Sequence, residues 1–394
     1  MNFTKKQQIA IQFAFVTAFV IRVLLFPFTN LDLDYFVLPW YEFIQSHHGY
    51  PALKYAFTNY SPAYPTLLVL FSYLKFMSPL ESIKIISVIF DFLNAWLAGM
   101  IVFRITNSPS KRIVITLLVL FSPVVILNSS FWGQCDGIYT FWILLSFYYL
   151  ISEKSLPAVL SFGMALAFKF QAMFFAPLLL IYYLKTKKNL LNLLLTPIPY
   201  ILTAIPTLLA GRSFTEVMLI YVDQSSFFRS LTMNAPNFYV FLPNYRYDLL
   251  VPAGIIATSI AFIVLFALIY FSKKPVSPAF WLRYAAFFLF LIPMVLPKMH
   301  DRYFYPAALF LLILAVVDWK SWYLGFGLQI TSALTYTYFL TEDHQGWLPI
   351  EIVAFLQITL LGLVIWDVHR KEGLLNPLLN LFFPKQKRKS PLVY

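Results

Sequence analysis

Apolar runs of about 17 to 25 residues recur from one end of the chain to the other, separated by short polar or basic segments; runs of that length cross a hydrocarbon core as helices. The two-residue alternation of a membrane barrel is absent. Helices placed on the runs give about twelve spans, near 9–28, 83–103, 112–129, 137–152, 155–168, 171–184, 190–209, 249–271, 279–296, 303–318, 321–340 and 349–367. The stretch 65–78 is short, ends near Lys75 and is bounded by Pro62, Pro65 and Pro79. If it crossed, every later loop would invert. Residues 30–82 are therefore expected to form one large external loop carrying two partly inserted juxtamembrane helices, with irregular backbone of the kind found beside a cavity. The pattern predicts an all-α polytopic membrane protein, a single unit over 1–394, with a further external loop over 210–248.

Composition excludes a soluble globule. Hydrophobic residues make up 60% of the chain and charged ones 12%, and the mean hydropathy is +0.74. The lone cysteine, Cys135, has no partner for an internal disulfide. Residues 1–8 precede an apolar run too long for a signal-peptide core, so 9–28 is expected to be a retained first span and the chain to start in the cytoplasm. The net charge of +12 changes the picture through its distribution. Lys5, Lys6, Arg104, Lys111, Arg112, Lys154, Lys185, Lys187, Lys188, Lys273, Lys274, Lys320, Arg370, Lys371, Lys385, Lys387, Arg388 and Lys389 fall in alternate loops. That places about 18 of the 29 basic residues on the cytoplasmic side. The basic tail, 369–394, reads as an anchor on anionic headgroups, with no nucleic-acid partner.

The opposite face collects acids: Asp32, Asp34, Glu42, Glu81, Asp136, Glu216, Asp223, Asp248, Asp301, Glu342, Asp343 and Glu351. Acids do little to set orientation, and a polar cavity opening outward accounts for them. Lys169, Arg229, Lys298, His300 and Arg302 lie on the same face. Asp91 and Asn94, three residues apart in one span, share a helix face and are expected to pair with another helix. The aromatics fill the bundle and the interfacial belts.

Four separated segments carry a family resemblance. LDLDYFVLPW at 31–40 with NYSPAYPTLL at 59–68 resembles the first luminal loop of the mannosyltransferase that adds the initial mannose of glycosylphosphatidylinositol anchors. SSFWGQCDGIYTFWILLSFYYL at 129–150 and FGMALAFKFQAMFFAPLLLIYYLK at 162–185 are similar in order and spacing to the second luminal loop and next helix pair of that enzyme and of the N-glycan glucosyltransferases. NAPNFY at 234–239 with PKMHDRYFYP at 297–306 resembles bacterial membrane mannosyltransferases. Through these four segments the chain resembles the polyprenyl-phosphate-sugar-dependent glycosyltransferases of the GT-C superfamily.

The resemblance implies inverting transfer of a hexose, mannose before glucose, from a polyprenyl-phosphate sugar to a glycan or glycolipid acceptor, at a membrane lipid surface. It also implies a bacterial plasma-membrane location with an extracytoplasmic site. Such a transfer needs a base for the acceptor proton and cations for the departing phosphate. Asp34 is the expected base. Asp32 reads as a second catalytic carboxylate that couples to it, or as a helix cap. Arg302 and His300, with Lys298, Lys169 and Arg229, are the expected phosphate ligands, Arg302 because its planar fork suits phosphate. A salt-bridged loop around 298–302 and a snorkelling Lys169 are the plain alternatives. Trp132, Gln134 and Asp136 suit a sugar's hydroxyls and ring face, or make a capped turn. Asn234 and Asn237 read either as substrate ligands or as turn formers. The donor phosphate is carried on a lipid, so no metal and no cofactor is expected. A transporter or lipid flippase with an outward charged site is the competing reading.

Overall fold

A computed structural model describes residues 3–226, 228–272, 274–341, 345–377 and 379. The expected acids Glu342 and Asp343, Lys273, and the tail basics Lys385, Lys387, Arg388 and Lys389 lie outside the described residues. Sixteen α-helices occur among those described: α1 (Lys5–Leu24), α2 (Leu38–Ser46), α3 (Ala63–Ser72), α4 (Pro79–Thr106), α5 (Pro109–Leu120), α6 (Pro123–Ile126), α7 (Asp136–Ile151), α8 (Ser155–Phe168), α9 (Ala176–Lys185), α10 (Pro197–Leu209), α11 (Phe214–Ser226), α12 (Tyr247–Phe271), α13 (Pro278–Val295), α14 (Tyr305–Val317), α15 (Trp322–Leu340) and α16 (Ile350–Glu372). The strands β1 (Thr232–Met233) and β2 (Met299–His300) pair in parallel.

The chain is an all-α polytopic membrane protein. Among the described residues six helical segments are long and apolar enough to cross a bilayer: 5–24, 79–106, 190–209, 244–271, 278–295 and 350–372. The pair α5 and Pro123–Phe131, bent by 45°, makes a seventh if it is one span. That is fewer than the twelve spans expected. The difference lies mainly in helices such as Asp136–Ile151 and Ser155–Phe168, which are apolar but shorter than 18 residues. At ten residues, α3 has about half the length a crossing needs.

Serine followed by proline punctuates the helices. Ser78, Ser108, Ser122 and Ser277 each accept a hydrogen bond from the backbone N–H three residues on, and Pro79, Pro109, Pro123 and Pro278 occupy the first helical position, where no N–H is needed. At Ser78 the device is a full capping box with Glu81.

The core sits around α13 and α14; every residue of α14 from Tyr305 to Val316 is buried. By contrast α1 and α12 expose nearly all of their apolar surface, as lipid-facing helices do. Where helix ends meet, they meet in two sets. One set holds Lys111 on the Val317 carbonyl, Lys185 on the carbonyls of Ile269, Tyr270 and Ser272, and Arg283 on Asp318, Asp367 and Glu372. The other gathers residues 30–34, 127–136, 168–169 and 297–302, which build the site.

Candidate active site

Two π-helical turns shape the site. In one, over Leu33–Val37, the Leu38 N–H reaches back to the Leu33 carbonyl; in the other, over Leu127–Phe131, the Trp132 N–H reaches the Leu127 carbonyl. A π turn inserts one residue per turn and re-aims the side chains that follow it. Gly133, at φ +72°, follows the second turn, and a Cβ there would stand 2.7 Å from Leu33 Cδ2. Only glycine lets the two turns come this close. Asn30 fastens them: its amide donates to the Phe131 and Trp132 carbonyls at 3.3 and 3.1 Å, and its oxygen accepts the Leu33 N–H at 3.2 Å. Behind it, buried Lys84 donates to the carbonyls of Leu25, Phe26 and Phe28 and so fixes the chain leaving α1.

Asp32 is the hub. Its Oδ2 accepts hydrogen bonds from Trp132 Nε1 at 2.9 Å, Gln134 Nε2 at 3.0 Å and Arg302 Nη1 at 2.9 Å. Residues 270 positions apart thus meet in one ion pair, and the Arg302 guanidinium also lies 5.4 Å from the centre of the Trp132 ring. Asp34 points elsewhere. It is exposed and makes no side-chain hydrogen bond or ion pair among the described residues. Residues 31–46 are helical, so side chains two positions apart point to different sides of the axis. The expectation that Asp34 carries the chemistry treated this segment as a loop.

A second ion pair lies beside the first. Lys169 Nζ meets Asp136 Oδ1 at 2.5 Å, and Asn128 donates to Asp136 Oδ2 at 3.0 Å. The lysine is flanked by the rings of Tyr60 and Tyr139, at 5.8 and 5.7 Å. Ser61 pins this corner by donating to the Ala167 and Phe168 carbonyls. Lys169 therefore turns inward and is buried; it does not snorkel.

His300 is held by β2 and by a bridge to Asn234, with its ring edge-on to Phe228 and Tyr303. Burial, together with Arg302 and Lys169, holds its pKa well below the usual imidazole range, so the ring is neutral at neutral pH. Burial pushes the Asp301 carboxyl well above the usual range, although Oδ1 accepts the Arg302 N–H at 2.7 Å. Several buried polar atoms here have no hydrogen-bond partner among the described residues: His300 Nδ1, Asp301 Oδ2, Arg302 Nε and the hydroxyls of Tyr139 and Tyr305.

Other expected ligands lie apart from this hub. Arg229 pairs with Asp248 at the surface, and the Arg229 and Lys298 cations both stand 5.4 Å from the Tyr247 ring. Asn234 lies in the left-handed region at φ +53° and serves β pairing, the turn role. Asn237 is buried, with its amide spent on the Pro293 and Leu296 carbonyls and the Tyr239 N–H, so it closes the end of α13. In the membrane interior Asp91 pairs with Arg22 at 2.7 Å and accepts from Ser129, while Asn94 donates to the Gly137 carbonyl.

Sequence reasoning passed over Asn30 and Tyr60. Asn30 carries the signature of a helix-initiating residue just before Leu31, and Tyr60 lies inside the quoted NYSPAYP segment. The family model of glycosyltransferase family 87 matches residues 57–297. That stretch holds Trp132, Gln134, Asp136 and Lys169 and ends short of both Asp32 and Arg302. A comparison with curated proteins returned no match.

Proposed function

The chain belongs to glycosyltransferase family 87, a GT-C-type membrane glycosyltransferase family, and from that premise we propose that it transfers a hexose from a polyprenyl-phosphate sugar to an acceptor hydroxyl outside the cytoplasm. The observation that carries this is the single carboxylate oxygen of Asp32, held by Arg302, Trp132 and Gln134. Asp32 takes the proton from the acceptor hydroxyl as that oxygen attacks the anomeric carbon. The bond from that carbon to the phosphate oxygen breaks, its electron pair leaves with polyprenyl phosphate, and the anomeric configuration inverts. Arg302 neutralises the departing phosphate. Lys169 and neutral His300 stand within electrostatic reach of each other and of Arg302, His300 offering a ring nitrogen to a sugar or phosphate oxygen.

A lipid-linked donor is supported by an apolar groove of about 630 Å³, lined among others by Phe162, Met173, Leu180, Phe262, Phe266 and Phe288. Its walls come from α8, Met173, α9, residues 193–196, α12 and α13. An extended isoprenoid needs such a surface. The outward orientation is supported by the excess of Lys and Arg at the opposite helix ends. The test is incubation of purified protein with radiolabelled polyprenyl-phosphate mannose, polyprenyl-phosphate glucose and the matching nucleotide sugars, together with membrane extract. Label should move from a polyprenyl-phosphate donor, mannose fastest. Movement from nucleotide sugars alone would overturn the donor assignment.

A further inference from the structure

The intramembrane carboxylate of Asp91 is only half used. Its Oδ2 accepts from Arg22 Nε at 2.7 Å and from the Ser129 hydroxyl at 2.6 Å, while Oδ1 is buried and has no hydrogen-bond partner among the described residues. The Tyr305 hydroxyl is in the same condition. Asn94 spends one amide hydrogen on the Gly137 carbonyl at 2.8 Å and carries a second. These three fully buried residues converge. A Cβ on Gly137 would stand 3.4 Å from Asn94 Nδ2, 3.5 Å from the Tyr305 hydroxyl and 3.7 Å from Asp91 Oδ1.

We infer that this convergence point, just beyond the Gly137 Cα, is a binding site for one ordered water molecule. The water donates to Asp91 Oδ1 and accepts from the Tyr305 hydroxyl and the second Asn94 amide hydrogen. The donor set selects water. Asp91 has already spent its charge on Arg22, so a cation gains little, and one acceptor with two donors around a space of methyl size suits a single atom that both donates and accepts. At this depth no bulk water reaches the groups, and an unmatched carboxylate oxygen would be costly. The molecule joins α4, the start of α7 beside Asp136, and the start of α14 three residues after Arg302. It therefore braces both ion pairs of the site from the membrane interior. The Tyr305 hydroxyl goes to the water, and the spare atoms of His300, Asp301, Arg302 and Tyr139 stay with the site.

Substitution at Gly137, read as melting temperature of the detergent-purified protein, separates a water from plain packing. The three distances are ordinary contacts, so alanine fits, and by restricting the unfolded chain it would by itself stabilise. With a water bound there, the added methyl displaces it, and Gly137→Ala should melt at least about 2 °C below wild type. Gly137→Ser is larger, yet it should melt within about 1 °C of wild type, because its hydroxyl lands where the water oxygen stood. In a Tyr305→Phe background the advantage of serine over alanine should shrink, since the hydroxyl has lost a partner. Alanine as stable as wild type would overturn the proposal. So would serine melting below alanine, which is crowding, or a serine advantage undiminished in the Tyr305→Phe background, which is a helix-start effect. Should the Gly137 variants not fold, a density map of the wild-type protein sharp enough to show ordered water decides the matter: a peak within about 3.2 Å of Asp91 Oδ1 and the Tyr305 hydroxyl supports the site, and no peak there overturns it.

Discussion

Two clusters of charge stand at opposite ends of the helix bundle, and they are built differently. At one end Arg283 uses Nε, Nη1 and Nη2 on Asp367, Glu372 and Asp318, while Lys371 and Arg370 bind the same acids and Ser321 donates to Asp367. None of these side chains leaves a buried atom unpartnered among the described residues. At the other end Asp32, Asp136, Lys169 and Arg302 also pair, yet His300, Asp301, Arg302 and the hydroxyls of Tyr139 and Tyr305 each leave a buried polar atom unmatched among the described residues. Each unmatched buried atom costs about 1–3 kcal/mol, and a few such atoms also occur away from both ends, at Arg22, Asp91 and Asn94. The saturated cluster ties α13, α14 and α16 together. On the function proposed above, the unsaturated one keeps hydrogen-bonding capacity for a substrate.

Substitutions can break or sharpen this contrast. The largest effect belongs to Asp32→Asn, which should lower transfer per folded molecule by roughly 10²- to 10⁴-fold, as loss of a general base does. Asp34→Asn should stay within about threefold of wild type in the same assay, since its side chain is exposed; the reverse order would restore Asp34 as the base. Next comes Arg283→Ala, which strands three acids and should cost about 3–5 kcal/mol of stability, read as early melting in detergent, while transfer per folded molecule persists. A selective loss of turnover without loss of stability would contradict the division of labour. Trp132→Phe keeps a ring against Tyr336 and Phe339 but removes one donor to Asp32. It should lower transfer by about tenfold, because a hydrogen bond to a charged group is worth about 1.5–3 kcal/mol and two donors remain. The smallest effect is expected for Arg229→Ala. Its pair with Asp248 is 71% and 76% exposed, and both stability and transfer should change by less than about 0.5 kcal/mol equivalent. A loss of more than tenfold would return Arg229 to the site.

Parts of this were legible in the residues. The Asp-x-Asp loop, the Trp-Gly-Gln-x-Asp segment and the His-Asp-Arg turn each carried a local signal, and the structure brings Asp32, Trp132, Gln134 and Arg302 onto one oxygen. Which aspartate faces inward was not legible. That depends on whether residues 31–46 are loop or helix, and the π turn over Leu33–Val37 has no sequence signature as plain as a cap. Arg229 and Lys298 looked like phosphate ligands on sign and position alone; their gathering at Tyr247 is set by how the 228–247 segment folds back on 297–300.

By itself the sequence determined the solvent and the helical class. Apolar runs of membrane-crossing length, Ser-Pro helix starts and segregated basic loops act through nearest neighbours and the bilayer, so they can be read along one dimension. Only the tertiary structure decided which charges are saturated and which are spare. Pairing between residues such as Asp32 and Arg302 depends on the angle and depth at which separate helices deliver them, and no local pattern encodes that.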